Sequence, residues 1–264
     1  MRKREGEEFS MRETLSENVS HETSKRAEVK TVHSAQGGSK PSGMRPIPWK
    51  EAGQRLGIWN SGWLSGYGAK LFRAVWTRLM DEFSTRGYTE MMMNGESKAY
   101  PAFLKLLLNK GEIPDRSLLP VQYICQQEDH KASIHAVFPE KRAADWIETV
   151  SADLERFLFQ MNVPYRIVKL EQIGAEAGVR YQWRLDLWLP VEEMYAELCR
   201  IGCSPQNEWN DERAGYYGPL WVGRAEGLSG SQLFLAVAEN GYDQRGRIRI
   251  PSVLVPYMAA EWIP

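Results

Sequence analysis

Residues 227–258 read GLSGSQLFLAVAENGYDQRGRIRIPSVLVPYM, and their order of predicted elements is the first indication of the fold. A turn rich in glycine and serine leads into an apolar segment that predicts a helix. A hairpin follows, and a strand-like run then ends at Pro256-Tyr257-Met258. Gln232 places a neutral polar side chain at the start of the predicted helix.

The composition suits one globular domain with some non-globular sequence. The chain has 264 residues, of which 43% are hydrophobic and 25% charged, and its formal net charge is −1. This balance argues against a strongly basic nucleic-acid-binding protein and leaves room for a local basic patch. The odd number of cysteines indicates the reducing cytoplasm. No apolar run approaches the roughly 18 residues needed to cross a membrane.

The first 45 residues differ in kind from the rest. They mix charges with serine, threonine and glycine and contain few large apolar residues, so burial cannot offset the entropy of ordering them. We therefore expect a disordered polar tail over residues 1–45 and one folded domain over residues 46–264. Met1, Met11 and Met44 are all plausible starts of translation.

The folded part predicts an α+β domain with a mainly antiparallel sheet flanked by helices. The clearest helix is Ser65–Phe83, whose apolar residues recur on one face. Val191–Glu193 predicts a hairpin turn between two late strands. The other predicted helices are Trp49–Gly57, Pro101–Leu108 and Asp145–Met161. The predicted strands are Tyr88–Met93, Pro120–Gln126, Pro164–Leu170, Trp183–Leu189 and Met194–Cys199.

Familiar catalytic motifs are absent from the sequence. There is no G-x-S-x-G, P-loop or G-x-G-x-x-G. Cys199 and Cys203 have C-x3-C spacing, and a zinc site built from Cys125, Glu197 and Cys203 is conceivable. Buried cysteines more often act as small apolar residues, so we expect no metal.

Asp186 and Glu197 are the more informative polar pair. Each lies in a predicted strand, on either side of the predicted hairpin. Asp186 is flanked by Leu185 and Leu187, so its side chain should point to the opposite face of the sheet. Two acids on one face can hold Mg²⁺ and a phosphate, or they can simply form the solvated face. The residues alone leave both interpretations open.

Several segments, in order, resemble the catalytic domain of seryl-tRNA synthetase, a class II aminoacyl-tRNA synthetase. The resemblance covers about 200 residues, from Pro46 to Pro264, and it implies the class II synthetase fold. Glu197 stands where the family handles ATP and its metal. The segments that carry the resemblance are Arg86–Glu90 after the long helix, Leu119–Tyr123, Val163–Val168, Leu185–Pro190, Tyr195–Leu198, Gly227–Asn240, Ile250–Leu254 and Pro256–Met258.

The chain departs from the family at the positions that contact ATP. An arginine that clamps the α-phosphate in the family matches Lys131, and the acid after it matches Ser133. The loop that covers ATP is shortened to a few residues. The arginine that grips the γ-phosphate matches Gln232. Arginine to lysine loses bidentate geometry, and arginine to glutamine loses the charge.

The amino-acid pocket and the dimer motif depart as well. The family's Thr-x-Glu, whose carboxylate holds the substrate amine, matches Ser97-Lys98-Ala99, which has no carboxylate. The asparagine that contacts serine matches Arg224. The proline of the first class motif matches Met93. Residues 1–45 are too short, and lack the heptads, for the family's coiled-coil tRNA arm.

These departures lead to three functional hypotheses. The first is a synthetase-like paralogue without tRNA aminoacylation that acts through protein–protein interaction or regulation, as a homodimer or as a heterodimer with a related enzyme. The second is an ATP-dependent ligase that loads an amino acid onto a carrier protein or small acceptor. The third is a nucleotide or amino-acid sensor. Mg-ATP is implied as a cofactor only if activity remains, and the ligand-binding candidates are Glu197, Lys131, Arg224, Gln232 and Asp186.

Overall fold

The computed structural model describes residues 29–34, 47–57, 64–92, 120–127, 130–170, 181–205 and 220–264. The predictions for Met93, Ser97–Ala99 and Pro101–Leu108, and most of the predicted tail, fall outside these ranges. Among the described helices, none is both long and apolar enough to cross a membrane.

The predicted helices within the described ranges are confirmed. Helix α1 (Trp49–Leu56) ends at Gly57, whose φ of 76° forms a left-handed C-cap. Helix α2 (Gly66–Ser84) buries an apolar face along its whole length, as its periodicity predicts. Helix α3 (Ala143–Gln160) and helix α4 (Gly230–Gly241) follow, and a single turn, α5 (Val255–Met258), comes near the end.

The main sheet has eight strands in the order β1-β5-β6-β7-β8-β4-β3-β2. Neighbouring strands are antiparallel except β2 and β3, so the predicted, mainly antiparallel α+β architecture is confirmed. A second, two-stranded sheet pairs β9 with β10. The strands are β1 (Val29–Ser34), β2 (Thr89–Met92), β3 (Val121–Gln127), β4 (Lys131–Pro139), β5 (Tyr165–Leu170), β6 (Tyr181–Leu189), β7 (Met194–Pro205), β8 (Leu220–Ser229), β9 (Ile248–Arg249) and β10 (Trp262–Ile263).

The prediction of a strand-like run that extends to Met258 is wrong. Only Ile248–Arg249 is extended and paired, and Ser252–Leu254 then forms a 3₁₀ turn that continues into α5. Proline explains the change, because it cannot donate to a ladder but suits the first turn of a helix, where Pro256 lies. Strands β4 and β8, which the sequence reading did not predict, complete the centre of the sheet.

Part of the predicted tail is a strand. Val29–Ser34 forms β1 and pairs antiparallel with β5, from Val29 opposite Leu170 to Ser34 opposite Arg166. The expectation of disorder is therefore corrected for these six residues, whose VKTVHS sequence is rich in β-branched residues. The rest of residues 1–45 stays a prediction.

The two faces of the main sheet differ sharply in character. Leu185, Leu187, Ile201 and Ala225 share one face and belong to the same hydrophobic core as α2, α3 and α4. Gly223 lies on this face, where a Cβ would come within 2.5 Å of the Trp146 ring on α3. The other face, called here the polar face, carries charged and hydrogen-bonding side chains. Its main polar residues are Ser133, His135, Arg166, Arg184, Asp186, Glu197, Arg200, Arg224 and Glu226.

A buried ion network joins α2 to α3. Arg86 donates from Nε to Glu82 Oε1 at 2.9 Å and from Nη1 to Asp153 Oδ1 at 2.9 Å. Glu82 also pairs with Arg78, and Tyr88 donates to Asp153 at 3.2 Å. Glu82 and Asp153 are buried, so each carboxylate depends on these partners for its stability.

We expect Arg86→Met to destabilise the domain by about 3–5 kcal/mol, because it leaves two buried carboxylates with too few partners. Urea-induced unfolding measures the free energy. The matched control is Arg73→Met, at an exposed position of α2, where a change within about 0.5 kcal/mol is expected. Equal losses in the two variants would contradict a special role for the network.

Candidate functional site

The five candidate residues come from three neighbouring parts of the fold. Asp186 and Glu197 lie opposite each other on β6 and β7, which confirms that the two acids share one face of the sheet. Lys131 begins β4, and Arg224 lies in the middle of β8. Gln232 is in the first turn of α4, directly after β8.

Asp186 is held by two arginines. Its side chain is 1% exposed, and it accepts from Arg166 Nε at 2.8 Å and from Arg184 Nε at 2.7 Å. Arg166 lies opposite Asp186 on β5, and Arg184 lies two residues earlier on β6, so all three side chains meet on the polar face. The Arg184-x-Asp186 alternation was visible in the sequence, but Arg166 is 20 residues away.

Glu197 is also paired. Arg200 donates from Nε to Oε1 at 2.7 Å and from Nη2 to Oε2 at 3.2 Å, the two-pronged geometry that arginine makes with a carboxylate. A bulge between the Leu185 and Asp186 pairs brings residues three apart on β7 to the same face. Asp186 and Glu197 are therefore both paired with arginine, and the Glu197 pair is partly exposed to solvent, as is the third acid of the polar face, Glu226.

Gln232 turns its amide towards the sheet. Its backbone N–H donates to the N-cap hydroxyl of Ser229 at 3.3 Å, and its Nε2 donates to the backbone oxygen of Glu197 at 3.3 Å. The side chain thus bridges the start of α4 to β7. It supplies hydrogen bonds to the protein and no positive charge to the polar face.

Lys131 lies at the end of a short hairpin. β3 ends at Gln127 and β4 begins at Lys131, and these two residues pair directly across the ladder. The connection between the strands is therefore three residues long, as expected from the sequence. Lys131 also pairs with Ser229 on β8, so it lies beside the start of α4.

Arg224 and His135 form a second polar group, paired across β8 and β4. His135 Nε2 lies 2.7 Å from Ser133 Oγ, which also accepts from Gln127. Burial, assisted by the positive charge of Arg224, lowers the pKa of His135 to about 3, so the ring is neutral at physiological pH. Arg224 Nε is buried and has no hydrogen-bond partner among the described residues.

The structure therefore separates the candidates into groups. Asp186, Glu197 and Gln232 form one cluster. Arg224 forms another with His135. Lys131 is four residues from His135 along β4, or about 14 Å. Sequence reasoning missed the arginines that neutralise the acids and the Ser133–His135 pair.

The conceivable zinc site does not assemble. Cys203 pairs with Gly223 and faces the helices, whereas Cys125 pairs with Ser133 on the polar face, together with Glu197. Burial raises the pKa values of Cys125 and Cys203 to about 12, which keeps both as unreactive thiols. Cys199 is likewise a buried free thiol.

No protein-family model matches the sequence. Solved structures do match the fold. The seryl-tRNA synthetase of Pyrococcus horikoshii, complexed with ATP, aligns with a TM-score of 0.64 and 16% identity over 84% of this chain and 64% of that one. The cytoplasmic serine-tRNA ligase of Naegleria fowleri, in complex with AMP, aligns with a TM-score of 0.65 and 15% identity over 89% and 65%.

A structure described as the RNA binding domain of threonyl-tRNA synthetase from Cryptosporidium parvum Iowa II also matches, with a TM-score of 0.54 and 12% identity over 74% of this chain and 72% of that one. The chain spans less than two thirds of the length of either seryl enzyme. The expected resemblance is thus confirmed as one of structure: the chain has the fold of a class II aminoacyl-tRNA synthetase catalytic domain.

Proposed function

We propose that this chain is a seryl-tRNA synthetase-like paralogue that does not form aminoacyl adenylates and acts through protein–protein interaction or regulation. The observation that carries the proposal is the engagement of Asp186 and Glu197, the two candidate acids, by arginine. Asp186 is paired with Arg166 and Arg184, and Glu197 is paired with Arg200.

Adenylate formation needs the opposite arrangement. It draws a carboxylate onto the α-phosphate and expels pyrophosphate, so Mg²⁺ and positive side chains must stabilise the charge that develops on oxygen. Mg²⁺ is held through carboxylate oxygens, and a carboxylate occupied by an arginine fork is a poor ligand for it. Mg²⁺ binding at Glu197 would therefore compete with the Arg200 fork.

The positions that contact the phosphates of ATP in the family also lack the groups expected there. Gln232 stands at the position of the γ-phosphate arginine in the resemblance, and its amide donates to the backbone of β7. The short β3–β4 connection leaves three residues where the family has a loop that covers ATP. Losing one such stabilising donor typically costs about a hundredfold or more in rate.

We expect no amino-acid-dependent exchange of pyrophosphate into ATP above background with any of the twenty amino acids. An active seryl-tRNA synthetase serves as the positive control. In the same preparations, light scattering is expected to show a stable homodimer, or a heterodimer with a related synthetase added at equal concentration.

Two results would contradict this proposal. Exchange with a particular amino acid would establish adenylate formation and favour the ligase, which transfer to a carrier protein would then test. A monomer that binds no related synthetase would remove the support for the interaction role. The reducing cytoplasm is part of the proposal, and the free thiols of Cys125, Cys199 and Cys203 support it.

A sensor of small anions is the second candidate, and Arg224 favours it. A buried guanidinium N–H without a partner leaves an unmet hydrogen bond that a phosphate or carboxylate can satisfy. The neutral His135 beside it adds a hydrogen-bonding group without adding charge.

For the sensor, we expect ATP, AMP, pyrophosphate or serine to raise the thermal midpoint of the wild-type chain, since a ligand that binds only the folded state stabilises it. Arg224→Leu should abolish the shift. Arg156→Leu, at an exposed position of α3, should leave it unchanged. The absence of a shift with all four ligands would count against this candidate.

The low pKa of His135 also makes stability depend on pH. The unfolded ring binds a proton below about pH 6.5 while the folded ring stays neutral to about pH 3, so acidification favours unfolding across that window. Between pH 7 and pH 5 we expect His135 to contribute a loss of about 2 kcal/mol. Urea unfolding of wild type and His135→Gln measures it. The same pH dependence in both proteins would contradict this assignment.

A further inference from the structure

The C-terminal hairpins carry a group of arginines around one tryptophan. Arg249 lies opposite Trp262 in the β9–β10 pair. The guanidinium carbon of Arg247 lies 4.3 Å from the centroid of the Trp262 ring, and that of Arg249 lies 5.9 Å away. Trp262 is 38% exposed, although large aromatic side chains are usually covered. The indole and the two guanidinium groups therefore form an accessible stack.

Two further arginines extend this group. Arg245 is exposed in the turn before β9, where its backbone N–H donates to Asp243. Arg55, near the end of α1, is also exposed, and its Nη1 lies 3.3 Å from where a Cβ on Gly246 would stand. Gly246 has a φ of 78° and makes the tight turn that brings α1 and the hairpin together. The arginine–tryptophan surface is defined as Arg55, Arg245, Arg247, Arg249 and Trp262.

The turn itself is held by one acid. Asp243 Oδ1 accepts from the backbone N–H groups of Arg245 and Arg247, and Oδ2 accepts from Arg247 Nη2 at 2.9 Å. These hydrogen bonds lower the pKa of Asp243, and the one from the Arg247 backbone contributes most. Asp243 therefore stays ionised and keeps the turn closed. Asp243 thus fixes Arg247 over the ring and leaves the other arginines exposed.

We propose that the arginine–tryptophan surface binds single-stranded nucleic acid. Arginine presents a planar fork that matches phosphate oxygens, and its charge does not titrate. Proteins that bind single strands without sequence preference combine a positive surface with aromatic or guanidinium planes on which bases stack. The surface supplies both parts within one pair of hairpins.

The stacked tryptophan favours nucleic acid over an acidic peptide. A peptide carboxylate would use the guanidinium forks alone and gain little from a flat indole surface. A nucleotide uses both, because its phosphate meets an arginine while its base stacks on the Arg247 guanidinium or on the exposed part of the Trp262 ring. Arg247 and Arg249 are two residues apart in extended chain, about 6.6 Å, so they can contact successive parts of one strand.

The arginine–tryptophan surface is separate from the polar face. Gln232 lies in the first turn of α4, and the hairpin begins beyond its last residue, Gly241. Ten residues of helix place the two about 15 Å apart along the axis. The proposal therefore does not depend on whether the polar face binds a nucleotide or a protein.

The test measures fluorescence anisotropy of the full chain with labelled, unstructured RNA and DNA of about twelve nucleotides, within the site sizes of single-strand-binding proteins. Polyglutamate of the same charge is the competitor. We expect binding that weakens with salt by about −0.7 in log K per log salt for each contacted phosphate, so three contacts give about −2. Arg245→Ser with Arg249→Ser, and separately Trp262→Leu, should each weaken binding by about tenfold.

The matched control removes the same charge elsewhere. Lys141, in the turn after β4, and Arg156, on α3, are exposed and lie outside the arginine–tryptophan surface, and Lys141→Ser with Arg156→Ser should change affinity less than twofold. Thermal unfolding confirms that each variant folds. If Trp262→Leu does not fold, the variant with Arg245→Ser and Arg249→Ser tests the proposal. Binding of RNA, DNA or both with these losses supports the proposal. No binding, equal losses in the control, or equal competition by polyglutamate would overturn it.

Discussion

The pairing of Asp186 with Arg166 and Arg184 is the constraint that shapes the polar face. A carboxylate that is 1% exposed would be strongly destabilising if it were unpaired, and two arginines from neighbouring strands neutralise it. Their side chains lie on β5 and β6, beside the strand that carries Glu197. Glu197 is paired with Arg200 in the same way, so arginine neutralises both of these acids.

The helix-covered face of the sheet and the polar face thus need different kinds of side chain. Apolar side chains on the helix-covered face keep the alternation that a half-buried sheet needs, and Gly223 leaves space for Trp146. The polar face depends instead on matched charges, because Asp186 is buried and needs its arginine partners. The class II synthetase sheet thus combines an apolar face that packs against helices with a face whose stability rests on pairing.

Much of the fold could be predicted because its signals are local. The period of apolar residues defined α2 and α3, and alternation defined β5 and β6. The opposition of Asp186 and Glu197 followed from a hairpin. Strand β4 was missed because both of its faces are largely buried, which removes the alternation. Strand β8 was missed because its buried and exposed residues do not alternate regularly.

The pairings of the site could not be predicted in the same way. Arg166 meets Asp186 only through the register of β5 on β6, and Arg200 reaches Glu197 only through a bulge. The segment that contains Pro251 and Pro256 was predicted as a strand because its apolar residues resemble those of a strand. The pattern of residues in one sequence does not show how distant strands align, nor where a bulge or a proline interrupts the backbone.

Strand β1 covers the outer edge of β5. A polypeptide begun at Met44 would lack Val29–Ser34, and the outer hydrogen-bonding groups of β5 would then face water or another molecule. Open edges of this kind recruit further strands and promote self-association. A chain without β1 would consequently associate with other chains more readily than one whose β5 edge is already paired.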